Sequence, residues 1–68
     1  MNIDYADAIL KLRAKLNMSQ QEMAKYLNVS FPSISRWENG HYQPTKLIKV
    51  KLLALLKENN IDVKEVSE

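Results

Sequence analysis

Cysteine is absent from this chain. Disulfides and thiolate metal sites are therefore excluded. The one histidine, His41, cannot build a metal cluster alone and reads as a solvated loop residue. One glycine (Gly40) and two prolines (Pro32, Pro44) leave few marked breaks in the chain. No run of roughly 20 apolar residues occurs, so nothing here spans a membrane. The first ten residues carry no basic stretch ahead of their apolar positions, so they do not resemble a secretion signal. A cytoplasmic location is the expectation. Catalytic sets are missing as well. There are no paired carboxylates with a partner, no Ser-His-Asp set, no glycine-rich phosphate loop and no metal-ligand spacing. Neither an enzyme nor a cofactor is expected.

What remains is short and apolar enough to fold. The chain has 68 residues and is 46% hydrophobic, which fits one folded domain over residues 1–68, not a disordered tail. A chain this small buries only about 60% of its unfolded surface. Its stability is expected to be modest, with no room for an enclosed cofactor cavity beside a core.

The net charge of +2 hides an uneven distribution. Lys11, Arg13, Lys15, Lys25, Arg36, Lys46, Lys49, Lys51 and Lys57 face only Glu22 and Glu38 within the span they define. Asp4, Asp7, Glu58, Asp62, Glu65 and Glu68 lie outside it. A basic middle between acidic ends suits a polyanion, although solvated lysines on ordinary helix faces would give the same count.

Helical spacing dominates the pattern, and no strand-like alternation or hairpin signal appears. Tyr5, Ala8, Ile9, Leu12 and Leu16 make one apolar face of a first helix, from about Asp4 to Leu16. Asp4 and Asp7 near its start and Lys15 near its end suit the helix dipole. Ser19 and Glu22 form a capping box that announces a second helix. That helix buries Met23, Ala24 and Leu27 and ends at Asn28, a residue that tolerates a left-handed backbone. Ser30 caps a third helix, with Pro32 in its first turn and Gly40 just past its end. Ile34 and Trp37 share its buried face. Pro32, Arg36 and Asn39 share the other, flanked by Ser33 and Ser35. A loop of residues 41–44 leads to Thr45, the cap of a fourth helix from about Lys46 to Glu58. Leu47, Val50, Leu53 and Leu56 or Leu55 are expected inward there. Asn59-Asn60 breaks it, and Asp62 with Glu65 would cap a last short turn over Val63 to Val66. The fold class is all-α, a compact bundle of four to five short helices.

Two short helices joined by a tight turn over residues 20–39 have the logic of a helix-turn-helix. Ala24 is small where the helices approach, and Asn28 stands where the turn needs an unusual backbone angle. Ile34 and Trp37 bury the second helix of the pair, which turns a proline, serines and an arginine outward. The runs SQQEMAKYLNVS (residues 19–30) and ISRWENG (residues 34–40), with Pro44, resemble the lambda Cro/C1-type helix-turn-helix family, also called the XRE family. The match is close over residues 12–44 and looser elsewhere. Asn28 departs from the glycine usual in the family, and Phe31-Pro32 is unusual at positions that vary among its members.

The resemblance implies a lambda-repressor-like fold whose recognition helix, residues 31–39, enters the major groove of double-stranded DNA. Phe31, Pro32, Ser33 and Arg36 would meet base edges. Gln20, Ser30, Ser35, Asn39, Gly40, Tyr42 and Lys46 would meet phosphates, with Gln20 also bracing the recognition helix. Arg13 and Glu38 would form a structural ion pair between the first and third helices. Arg36 can offer two donors to O6 and N7 of a guanine. Phe31 suits a thymine methyl, provided it is not packed back on the domain as a hydrophobic staple. Trp37 belongs to the core.

The function expected is a sequence-specific transcriptional regulator, a repressor, acting as a homodimer on a two-fold operator. Leu52, Leu55, Ile61, Val63 and Val66 are candidates for the dimer surface in the C-terminal region, although Ile61 and Val63 would equally close the domain's own core. The alternative is a protein-interaction or antitoxin-like module that keeps the fold without reading DNA.

Overall fold

In the computed structural model, which describes residues 2–66, each helix begins at a side chain that replaces a missing backbone partner. The Asp4 carboxylate accepts the Asp7 N–H at 3.1 Å and opens α1 (Tyr5–Leu16). Ser19 opens α2 (Gln20–Leu27) with both halves of the capping box. Its hydroxyl accepts the Glu22 N–H at 3.1 Å, and the Glu22 carboxylate accepts the Ser19 N–H at 2.8 Å. Ser30 and Thr45 likewise open α3 (Phe31–Glu38) and α4 (Lys46–Glu58). A cap of this kind contributes about 1 kcal/mol.

Three of the helices also end alike. Asn17, Asn28 and Asn60, just past α1, α2 and α4, have φ of 55°, 58° and 56°. Asparagine enters this left-handed region more easily than other side-chain-bearing residues. The reversed backbone lets the next N–H reach back into the helix: Met18 to Arg13, Val29 to Ala24 and Ile61 to Leu56, each at 2.9 Å. Met18, Val29 and Ile61 then pack against the core, the apolar contact that accompanies this type of helix end.

The core draws on every helix. Ala8, Ile9 and Leu12 come from α1, and Met23, Ala24 and Leu27 from α2. Ile34 and Trp37 come from α3, and Ile48, Leu52 and Leu56 from α4. Full burial of one such aliphatic side chain stabilises the fold by roughly 1.5–3 kcal/mol.

The face of α4 differs from the one expected. Leu47 and Val50 are 70% and 60% exposed, and Leu53 is exposed too. Ile48, Leu52 and Leu56 turn inward instead, with Leu55 half-buried beside them. Leu52 is fully buried, so it is not available as a dimer contact. Ile61 closes the core, whereas Val63 is exposed; the Val66 side chain lies outside the described residues.

The short turn expected over Val63 to Val66 is also replaced. Glu65–Val66 forms a strand, β2, that pairs antiparallel with β1, Asn2–Ile3. Asn2 stands opposite Val66 and Ile3 opposite Glu65, and the Asp4 N–H donates to the Lys64 carbonyl at 2.8 Å. The two ends of the described chain thus satisfy each other's backbone groups, which a lone turn would have left to water. Among the described residues no helix is long and apolar enough to cross a membrane, and no cluster of ligating side chains is placed to hold a metal.

Candidate nucleic-acid interface

The orientation of α3 is set from its inner edge. Glu38, in its last turn, receives two hydrogen bonds from Arg13 of α1: Nε to Oε2 at 2.8 Å and Nη2 to Oε1 at 3.0 Å. Arg13 Nη1 also donates to the Met18 carbonyl at 3.2 Å. Gln20, at the start of α2, donates its amide to Glu38 Oε1 at 2.8 Å. One carboxylate on α3 is therefore held by α1 and α2 together. The Glu38 side chain is 6% exposed and that of Arg13 23% exposed. Hydrogen bonding to Glu38 raises the Arg13 pKa above its ordinary value, burial opposes that rise, and the charge attraction adds to it.

Pinning one edge fixes what the opposite side presents. Ile34 and Trp37 are buried, while Phe31, Pro32 and Arg36 are exposed. Pro32 and Arg36 are four residues apart, and Ser33 and Arg36 three, so these side chains line one helix face. Phe31 is 44% exposed and is not packed back as a staple. Val29 and Ile34 hold the staple positions around the Ser30 cap, and both join the core.

Ser33 is less free than the sequence suggests. It is half-buried, and its hydroxyl lies 2.8 Å from that of Ser30, which also caps the helix through the Ser33 N–H. Ser35 is half-buried too. Ser30, Asn39, Gly40, Tyr42 and Lys46 are exposed around the two ends of α3 and the start of α4. Gln20 is half-buried with one amide hydrogen committed to Glu38, which leaves its second N–H for another acceptor.

Gly40 has φ of +77° with open space where a Cβ would stand. The backbone angle, not crowding, is what calls for glycine there. The turn brings Tyr42 back toward α3, where the Arg36 guanidinium carbon lies 5.9 Å from the ring centre. Sequence spacing gives no hint of this meeting. The same is true of Lys49, which donates to Gln43 Oε1 at 2.9 Å and lies 5.2 Å from the centre of the Tyr5 ring.

A capped, pinned helix with an arginine and small side chains facing outward, set behind a second short helix and an αL turn, is a helix-turn-helix. A family model of that description, Cro/C1 type, matches residues 9–63. The chain belongs to the Cro/C1-type helix-turn-helix family. No curated protein and no solved structure gives a match. The family is one of DNA-binding regulators, and α2 and α3 are the two helices that give this helix-turn-helix its name.

Proposed function

We propose that this helix-turn-helix domain is a sequence-specific transcriptional repressor that lays α3 in the major groove of double-stranded DNA. The observation that carries the reading is the state of its two central arginines. Arg13 is spent on Glu38 and Met18, whereas Arg36 is exposed and makes no hydrogen bond or ion pair among the described residues. An arginine with five open donors on a rigid helix is suited to bidentate reading of guanine.

Phe31 and Pro32 bring apolar edges to the groove floor at the start of α3, where a thymine methyl is the fitting partner. Ser33 reads a base edge only by sharing its hydroxyl with Ser30. Gln20, Ser30, Ser35, Asn39, the Gly40 backbone, Tyr42 and Lys46 hold phosphates on either side. Those contacts set the register and add salt dependence without reading sequence. Lys46 follows directly on the Thr45 cap, where a cation opposes the helix dipole. A phosphate beside it offsets that local cost.

The repressor acts as a homodimer through its C-terminal region on half-sites about 34 Å apart. Leu47, Val50 and Leu53 on α4 and Val63 beyond it supply exposed apolar surface for such a contact. Sedimentation equilibrium with and without a duplex reads the oligomer; monomer alone in both would remove the dimer.

Titration of a random-sequence duplex with the domain at rising salt tests the DNA reading itself. Binding at low salt that falls linearly on a log–log plot is expected. No binding at low salt would overturn it.

A further inference from the structure

Arg36 has one neighbour that matters. Its guanidinium carbon lies 5.9 Å from the centre of the Tyr42 ring, within the roughly 6 Å over which an aromatic face attracts a cation. The aromatic face, unlike the hydroxyl at its edge, offers no conventional acceptor, so the attraction holds the charge while leaving the N–H groups for another partner. Tyr42 is itself 63% exposed, and an exposed ring on a loose loop would hold nothing. This loop is tied at both ends. On one side the Gly40 N–H donates to the Trp37 carbonyl at 3.1 Å, and φ of +77° at Gly40 sets the turn. On the other, Gln43 accepts from Lys49 of α4 at 2.9 Å and Pro44 is buried.

We propose that Tyr42 is a positioning residue for sequence reading: its ring, fixed by the Gly40 turn and the Gln43–Lys49 bond, holds the Arg36 guanidinium in place before DNA arrives. This rests on the reading of Arg36 as the base-contacting arginine. A free arginine side chain loses up to about 2 kcal/mol of rotamer freedom on being fixed. A ring that restricts it beforehand reduces that loss at the one base pair Arg36 reads. A Tyr42 that served only as a phosphate contact would instead use its hydroxyl and would strengthen binding to every sequence alike.

The test uses a duplex selected from random sequence by the wild-type domain, and the same duplex altered one base pair at a time. Four proteins are compared: wild type, Tyr42→Leu, Tyr42→Phe and Tyr42→Trp, each checked for helical content by circular dichroism. Discrimination at the Arg36-dependent base pair should fall about two- to fivefold in Tyr42→Leu. Discrimination at the other base pairs should stay as it was. Tyr42→Phe and Tyr42→Trp keep a ring and should keep the discrimination. In an Arg36→Ala background, Tyr42→Leu should change nothing further at that base pair. Equal weakening on all duplexes by both Tyr42→Leu and Tyr42→Phe would overturn the proposal and leave a phosphate contact through the hydroxyl. Unchanged discrimination in Tyr42→Leu would overturn it too, while Arg36 as base reader stood. A wild-type domain that binds no duplex would remove both readings together.

Discussion

Arg13 and Glu38 are joined by two hydrogen bonds across the meeting of α1 and α3, at 2.8 Å and 3.0 Å, with Gln20 of α2 closing on the same carboxylate. Helix α3 is thereby fixed by its buried edge, which leaves Phe31, Pro32 and Arg36 exposed on the opposite side.

Removing Arg13 would leave the nearly buried Glu38 carboxylate with only an amide for company. Arg13→Met should lower the unfolding free energy by about 3 kcal/mol, read from urea denaturation. A loss under about 1 kcal/mol would mean that the pair behaves as an ordinary surface bridge.

Acid should loosen the start of α2. The Ser19 backbone N–H, and then its hydroxyl, hydrogen-bond to the Glu22 carboxylate and lower its pKa from the usual 4.5. A pKa lower in the folded than in the unfolded state contributes stability above the unfolded value. That contribution is lost as pH falls through the folded one. Wild-type stability should therefore decline below about pH 4.5 more steeply than that of Glu22→Gln, which keeps an acceptor for Ser19 but does not titrate. Superimposable pH profiles for the two proteins would contradict this.

The inward face of α4 makes opposite predictions for neighbouring residues. Leu52→Ala should cost about 2–5 kcal/mol because it opens a cavity in the core. Val50→Ala, at an exposed position, should change stability by no more than about 0.5 kcal/mol. Thermal or urea unfolding of both variants decides it, and a larger loss from Val50→Ala would reverse the assignment of the face.

Lys46 should matter to affinity without mattering to sequence. Lys46→Ala is expected to weaken binding by a similar factor on every duplex and to reduce the salt slope by about one. A loss confined to one duplex would show that Lys46 reads a base.

Much of the fold was legible because local chemistry agreed with the tertiary outcome. Ser19 with Glu22, Asn28, Ser30 and Thr45 marked helix ends by hydrogen bonds that involve only their near neighbours. The face of α4 was not legible in the same way. Leu47, Ile48, Val50, Leu52, Leu53, Leu55 and Leu56 surround that helix with apolar side chains, so three-residue spacing fitted Leu47, Val50 and Leu53 as well as four-residue spacing fitted Ile48, Leu52 and Leu56. Only packing against the other helices chooses between them. The β1–β2 pairing escaped because two-residue strands have no alternation to detect, and their bonds join opposite ends of the chain. The pairing of Arg13 with Glu38 came from family resemblance, since nothing local links residues 25 positions apart. The approach of Tyr42 to Arg36 depends on the backbone angle at Gly40, which spacing does not carry.

The central claim is that α3 reads sequence through Arg36. Selection of duplexes from a random pool by the wild-type domain and by Arg36→Ala tests it most directly. The wild-type domain should enrich a motif with a strongly preferred guanine, and Arg36→Ala should lose the preference at that base pair, worth about 1–3 kcal/mol, while keeping the rest of the motif. An identical motif from both proteins, or none from the wild type, would contradict the account.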